Sequence, residues 1–330
     1  MLLRSEVEAA PVARPPAQTN TRNDHDLPLI TARDLAWTLY LYPLRGLARC
    51  SSRAVSALIW LATPVYSLMA AAQRAEARRL LAGAFGSDIS PAELDAISRR
   101  FARNFTRRIA DDLMLERGDK GLRCRSFGGR ENLDEALAAG RGVLLVTMHW
   151  YAGQTAKRYL ASLGYPVLTV RKREINYGSS VSRFGKRLLV PVHERFAHAV
   201  VRDEVYVEDR RCSLEILRRL RGGGIVELHL DVPDSARVID LPFLGQRFGV
   251  PTGALRVARV AGCAVLPMVA WGGARSLELQ IDPPLELDRT LPMKEFCQKY
   301  LPVLVRILEA HVRERPDAAW QPWSILRERS

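Results

Sequence analysis

His149 has the setting best suited to chemistry among the six histidines of the chain. It follows the run VLLVTM (143–148), whose length and β-forming residues predict a short buried strand. Catalytic groups of open α/β sheets collect at the carboxyl ends of strands, where His149 would emerge. Imidazole titrates near neutrality, so His149 can serve there as a general base. Position alone leaves a structural, hydrogen-bonded histidine equally open.

A second histidine repeats a histidine-plus-acid spacing. His229 is followed five positions later by Asp234. Pro233 and the predicted strand before His229 disfavour a shared helix for this pair, and chance explains the spacing better. If His229 were the base, its replacement by alanine would abolish turnover, whereas His149→Ala would not.

Cations and apolar residues near the predicted sheet edge are candidate binding groups. Arg171 and Lys172 follow a second predicted strand and could hold a phosphate or another anion, as could Arg237. A solvated basic loop is the alternative for the first two. Phe243 could line a channel for an acyl chain, although an aromatic residue beside a turn is more often part of the core.

Motifs for metals and nucleotides are missing from the sequence. It contains no phosphate-binding glycine loop, no G-x-S-x-G elbow and no C-x-x-C pair. His193 and His198 are five apart, and although Glu194 lies between them, no cysteine or carboxylate accompanies them at the spacing of a metal site. We therefore expect no metal.

Strands and helices alternate after Gly128-Gly129. Helices are predicted near 131–139, 154–163, 214–220 and 253–260, and strands near 143–148, 166–170, 225–230, 264–269 and 277–281. This alternation predicts one α/β domain with a central, mostly parallel or mixed sheet flanked by helices.

The N-terminal third has a different character. Residues 1–30 are rich in proline and polar residues and predict a flexible tail. Residues 54–72 carry no charge but include Pro64, and arginines flank them. We predict a membrane-associating helical segment over 31–75, either spanning or lying in the interface, with a buried core helix as the alternative. The main domain would then cover 76–330.

A predicted amphipathic helix follows over 91–117. Ser90-Pro91 with Glu93 is a helix-start pattern, and apolar positions recur at helical spacing opposite an arginine-rich face. A solvated charged face is the simpler interpretation of those arginines, and contact with lipid phosphate is the other.

The composition favours an anionic partner. The 330 residues are 48% hydrophobic with a formal net charge of +13, which suits an acidic membrane surface, an acidic carrier protein or nucleic acid. The arginines are spread over several segments without a recognition module, so we predict no nucleic-acid partner. Five scattered cysteines are typical of reduced thiols in the cytosol.

Two segments resemble the lipid A lauroyl/myristoyl acyltransferase family of the lysophospholipid acyltransferase superfamily. The first is GRENLDEALAAGRGVLLVTMHWYAGQTA (129–156), in which a helix and a strand lead to His149. The second is 222–269, with a strand ending at Asp231, a Pro-Phe-x-Gly turn ending at Gly245, and Thr252 before a helix. Weaker similarity extends over roughly 35–325.

The resemblance implies an acyltransferase with an acyl thioester as co-substrate and no other cofactor. His149 would be the base, Gln154 its orienting partner, and Asp231, Gly245 and Thr252 parts of the binding site. The donor would be an acyl-carrier protein or coenzyme A thioester, and the acceptor a hydroxyl or amine of a lipid or glycolipid. The resemblance also implies the cytoplasmic face of a bacterial inner membrane.

Position 154 departs from the family pattern, since glutamine stands where the family has glutamate or aspartate. Its amide oxygen could still orient the imidazole but cannot supply a full negative charge. The activity would therefore be lower, depend on another carboxylate, or be lost in a relative that only binds acyl chains or a carrier protein. An enzyme of a specialised metabolite pathway is a further alternative.

Overall fold

A computed structural model describes residues 27–31, 71–86, 89–116, 121–171, 182–189, 203–232 and 237–319, with a few single positions between them. The strands are β1 (Cys124–Gly128), β2 (Val143–Thr147), β3 (Val167–Arg171), β4 (Glu204–Tyr206), β5 (Ile225–His229), β6 (Val238–Phe243), β7 (Gln246–Pro251), β8 (Ala264–Trp271) and β9 (Leu277–Ile281). The helices are α1 (Ala71–Phe85), α2 (Pro91–Leu115), α3 (Arg130–Ala138), α4 (Gly153–Ser162), α5 (Cys212–Arg221), α6 (Gly253–Ala261) and α7 (Met293–Glu314).

Seven strands form one sheet in the order β1-β9-β8-β2-β5-β3-β4. The pairs from β8 through β2, β5 and β3 to β4 are all parallel, whereas β9 runs antiparallel to β8 and carries β1 parallel to itself. The predicted α/β class with a mostly parallel or mixed sheet is confirmed. The carboxyl ends of the five parallel strands therefore share one edge, which we call the carboxyl edge.

Helices cover both faces of this sheet. Leu133 of α3 and Leu160 of α4 pack with Leu145 of β2 on one face. On the other face, Leu144 of β2 joins a larger core that includes Leu304 of α7. Because both faces are covered, every residue of β2 is buried, as its unbroken apolar sequence predicts.

Helix α2 begins as the sequence predicts. Ser90 accepts a hydrogen bond from the backbone N–H of Glu93, and the Glu93 carboxylate accepts from the backbone N–H of Ser90. This reciprocal capping box satisfies two N–H groups that would otherwise lack partners in the first turn.

A hairpin that the sequence analysis identified only as a turn extends from the sheet. Strands β6 and β7 pair antiparallel, and Leu244 and Gly245 both have positive φ, at 51° and 75°. A two-residue hairpin with both central residues in the left-handed region matches the twist of its strands. Leu244 adopts this conformation while fully buried, so packing offsets its backbone cost.

Several predictions concern residues outside the described ranges. They include the tail up to residue 26, most of the proposed membrane segment 31–75, Lys172, His193, His198 and Asp234. Within the described part of the chain, no helix is long and apolar enough to cross a membrane.

Candidate active site

The register of the sheet brings the ends of β2 and β5 together. Thr147 and His229, the last residues of these strands, are paired, and the N–H of Leu230 donates to the carbonyl of Thr147 at 2.9 Å. His149 stands two residues after Thr147, and Asp231 stands two residues after His229. Parallel pairing thus places a histidine and an aspartate side by side at the carboxyl edge.

Asp231 holds His149 through both of its oxygens. Oδ1 lies 2.7 Å from Nδ1 of the imidazole, and Oδ2 accepts from the backbone N–H of His149 at 2.8 Å. The aspartate is fully buried, whereas the histidine side chain remains 30% exposed. Ring and backbone of His149 are therefore fixed by one buried carboxylate while the ring stays accessible.

The charge of Asp231 determines the tautomer of His149. Burial raises the pKa of this carboxyl, but the positive charge that His149 can carry, together with the hydrogen bonds from its ring and backbone, outweighs burial and lowers the pKa below its ordinary value. An ionised carboxylate only accepts hydrogen bonds, so Nδ1 must carry the proton. Nε2 is then the ring nitrogen with the lone pair that a general base uses.

Gln154 does not hold the imidazole as the sequence analysis expected. The carboxylate of Asp231 occupies Nδ1, and the buried Oε1 atom of Gln154 accepts no hydrogen bond from any described residue. The physical reason is the strand register, which places the carboxylate of Asp231 beside the ring of His149. A charged acceptor binds an N–H group more strongly than an amide oxygen does. The five-residue spacing from His149 to Gln154 gave no indication that Asp231 binds the ring.

His229 lies against the ring of His149. The two ring centroids are 4.1 Å apart and the planes are inclined by only 24°. Burial, followed by the charges of His149 and Lys157, lowers the pKa of His229 well below its ordinary value. A neutral, weakly basic imidazole is a poor general base, so the structure favours His149 for that role.

An ion pair lies beneath the two histidines. Nζ of Lys157, on α4, is 2.8 Å from Oε2 of Glu227, on β5, and the side chains are only 8% and 1% exposed. Neither residue stood among the sequence-based candidates. Their one sequence signal is a charged residue inside an otherwise apolar strand, as in IVELH (225–229).

A C-terminal segment crosses the turn that carries His149. Ala319 forms an antiparallel bridge with Trp150, and the carbonyl of Ala318 accepts from the N–H of Tyr151 at 2.9 Å. Helix α2 fixes this segment, since Nδ2 of Asn104 donates to the carbonyl of Asp317 at 2.9 Å and to its Oδ2 at 2.8 Å. We call residues 315–319 the C-terminal strap.

The predicted anion holder Arg171 is already paired. Its guanidinium donates to Oε2 of Glu204 at 2.6 Å, and the hydroxyl of Tyr206 donates to Oε1 of the same carboxylate at 2.5 Å. Both side chains of the ion pair are largely buried. A bound anion would compete with Glu204, so Arg171 is not the open cation that the sequence suggested, and Lys172 lies outside the described residues.

Two other predicted binding residues meet at the base of the hairpin. The carbonyl of Arg237 accepts from the backbone N–H of Thr252 at 3.1 Å and from its hydroxyl at 3.4 Å. The Arg237 side chain is exposed, and Thr252 immediately precedes α6. This contact closes the base of the hairpin.

The tip of the hairpin serves packing instead. Phe243 is 1% exposed and its ring lies 5.6 Å from that of Phe248 within the core. A side-chain atom on Gly245 would lie 3.5 Å from the carbonyl of Gly83 in α1. The contacts of Phe243 match the core alternative given for it from the sequence, and Gly245 packs beside a helix. The channel and site-lining roles of these two residues stay predictions.

A metal site was not expected from the sequence. Among the residues that the structure describes, no group of three histidine, cysteine, aspartate or glutamate side chains could hold a metal ion.

The sequence profile described as "Bacterial lipid A biosynthesis acyltransferase" matches residues 30–321. That range covers most of the chain and includes every residue of the site. The chain belongs to this family of bacterial lipid A biosynthesis acyltransferases. The predicted family resemblance is thereby confirmed.

Relatives of this acyltransferase-family chain include a protein named phosphatidylinositol mannoside acyltransferase, from two strains of Mycobacterium tuberculosis. Each is 28% identical over 163 residues, which is 49% of this chain and 49% of the relative. The chain thus matches about half the length of these curated relatives.

Proposed function

We propose that this member of the lipid A acyltransferase family transfers an acyl chain from a thioester to a hydroxyl or amine of a lipid or glycolipid. The observation that carries the proposal is the His149–Asp231 pair, in which a buried carboxylate fixes an accessible imidazole through two hydrogen bonds. Family membership supplies the reaction class.

In the first step, Nε2 of His149 takes the proton from the acceptor hydroxyl or amine. The acceptor oxygen or nitrogen then forms a bond to the thioester carbonyl carbon, and a tetrahedral oxyanion results. Asp231 stabilises the imidazolium that forms, because it already binds Nδ1–H at 2.7 Å. The carboxylate itself stays ionised throughout.

In the second step the tetrahedral species collapses and the carbon–sulfur bond breaks. The imidazolium of His149 returns its proton from Nε2 to the leaving thiolate. The products are the acylated lipid, as an ester or amide, and the free thiol of the carrier. His149 is restored to its starting tautomer without any metal or further cofactor.

The glutamine at position 154 makes a catalytically silent relative the second candidate. A silent relative would have lost the carboxylate that supports the base. Here Asp231 supplies a buried carboxylate whose pKa lies below its ordinary value. The imidazole of His149 therefore has a negative charge beside it, although position 154 provides none. A carboxylate bound to the candidate base favours a working enzyme.

The partners follow from charge and family together. The net charge of +13 suits an acidic acyl-carrier protein, coenzyme A phosphates and an anionic membrane surface. We propose action at the cytoplasmic face of a bacterial inner membrane, with residues 31–75 making the membrane contact. The name of the mycobacterial relatives supports a lipid-linked sugar as acceptor.

The test is transfer of a labelled palmitoyl group into total bacterial lipid extract, with palmitoyl acyl-carrier protein and palmitoyl-coenzyme A as separate donors. Membranes containing wild type should label a lipid from at least one donor, and membranes containing His149→Ala should not. Equal labelling by both would make His149 structural. Absence of transfer together with binding of the donor would favour the silent relative.

A further inference from the structure

The base of the proposed acyl transfer is in face-to-face contact with a second imidazole. The rings of His149 and His229 stack at 4.1 Å and 24°. His229 is partly buried at the last position of β5, where it pairs with Thr147 of β2. His149 follows two residues after Thr147. The sheet register thus brings the turn that carries His149 beside the end of β5.

We propose that His229 is a positioning residue for this reaction. It remains uncharged and presents its ring face to the imidazolium that forms on His149. The proposal rests on the acyl transfer proposed above. It assigns His229 neither the role of base nor contact with the reacting atoms.

The charges around the stack keep the two histidines chemically distinct. His149 alone is hydrogen-bonded to a carboxylate, that of Asp231. His229 faces Lys157 from α4, His149 from the turn after β2 and Asp231 from the turn after β5. Burial and then the cations outweigh Asp231 and lower the pKa of His229. Lys157 is itself held at 2.8 Å by Glu227, which keeps this buried cation in place.

The neutral state matters because the rings are so close. Two positive charges about 4 Å apart repel strongly in a medium of low dielectric constant. An uncharged aromatic ring instead offers a face that attracts a cation. A neutral His229 therefore permits the imidazolium intermediate, and a charged side chain in its place would oppose it.

Three substitutions of His229 separate the effect of an uncharged aromatic ring from the effects of removing the ring and of adding a charge. His229→Phe keeps an uncharged aromatic face, His229→Ala removes it, and His229→Lys adds a positive charge. With the palmitoyl donors above, we expect kcat to stay within about fivefold of wild type for His229→Phe, to fall about tenfold for His229→Ala, and to fall roughly 100-fold or more for His229→Lys. KM for the donor should change little.

Rescue by phenylalanine distinguishes positioning from the alternatives. If His229→Phe were as inactive as His229→Ala, the imidazole itself would take part in the chemistry and the proposal would be wrong. Wild-type kcat in His229→Ala would equally overturn it, because the ring face would then have no effect.

A second measurement does not depend on turnover. In the full chain with ¹⁵N-labelled histidine, assigned through His149→Gln and His229→Phe, we expect His229 to take up its proton only well below the ordinary pKa of a histidine, because burial and the charges of His149 and Lys157 disfavour its charged form. Protonation of His229 in the ordinary histidine range contradicts the proposal.

The two measurements keep the hypotheses apart. If wild type transfers from neither donor, the proposed function fails, and the NMR titration still decides whether His229 keeps the stack uncharged. His311 lies on α7, and its Nε2 is 2.8 Å from Oδ2 of Asp282. It provides the reference signal of an aspartate-bound histidine within the same chain.

Discussion

Asp231 binds His149 twice, at 2.7 Å through the imidazole Nδ1 and at 2.8 Å through the backbone N–H. The two residues are 82 positions apart in sequence and meet because β2 and β5 are neighbouring parallel strands. One buried carboxylate thereby fixes the position, the rotamer and the tautomer of the candidate base.

Asp231→Asn should preserve the shape of the site but remove the charge that fixes the tautomer. We expect kcat to fall by about 10²- to 10⁴-fold with little change in KM, as for the aspartate of a serine-protease triad. Steady-state kinetics with a palmitoyl donor measures this. Asp282→Asn is the matched control, because it alters the other His–Asp pair at His311 and should leave kcat within about threefold.

Gln154→Ala tests whether the residue five positions after the histidine supports the base. Since Oε1 of Gln154 accepts no hydrogen bond from the described residues, we expect kcat to drop less than about tenfold. The comparison is made with Asp231→Asn under the same conditions. A larger loss in Gln154→Ala than in Asp231→Asn would return the orienting role to Gln154.

Asn104→Ala should loosen the C-terminal strap. It deletes two hydrogen bonds to Asp317, one of them to a carboxylate, so the free energy of unfolding should fall by about 1–3 kcal/mol. Because the strap crosses the turn after His149, kcat should fall as well. Urea unfolding and limited proteolysis of the strap measure the effect. The exposed Lys294→Ala on α7 is the control, and equal behaviour of the two variants would deny the strap a role.

Asp111 gives the molecule a pH dependence of stability. Burial raises the pKa of this carboxyl to about 7, although the N–H of Ala274 and the charges of Arg107 and Arg275 act in the opposite direction. The folded state thus holds the proton more tightly than the unfolded state. Stability contributed by the protonated form is present below about pH 4 and is lost as pH rises towards 7.

Asp111→Asn should remove that loss. We expect the variant to exceed wild type by on the order of 2 kcal/mol in unfolding free energy at pH 8, and to differ much less at pH 4.5. Urea titrations at the two pH values decide it. Asp95→Asn, at an exposed carboxylate paired with Arg78 at 2.9 Å, controls for the loss of one negative charge. A difference that is the same at both pH values would speak against a buried, raised-pKa carboxyl.

The sequence was sufficient for the local elements and for the edge at which the site lies. Strand β2 is short and buried, and His149, two residues after its end, could be placed at the carboxyl edge from the sequence pattern alone. Capping residues at Ser90 and Glu93 likewise identified the start of α2. These signals are local, because a strand or helix end is determined by neighbouring residues.

The partner of His149 could not be assigned from the sequence, because strand order is not a local property. The family resemblance directed attention to Gln154, whereas the parallel pairing of β2 with β5 supplies Asp231. The strap has the same explanation, since Ala319 and Trp150 meet only through the tertiary fold. The pairing of Arg171 with Glu204 also depends on the neighbouring strands β3 and β4. The membrane role of 31–75 stays a prediction.

The most direct test of the account is a double-mutant cycle on His149 and Asp231. The palmitoyl transfer rate is measured for wild type, His149→Ala, Asp231→Asn and the double variant. If the two residues act as one unit, His149→Ala reduces the rate to background and adding Asp231→Asn lowers it no further. Independent, multiplying losses, or a wild-type rate in His149→Ala, would contradict the account.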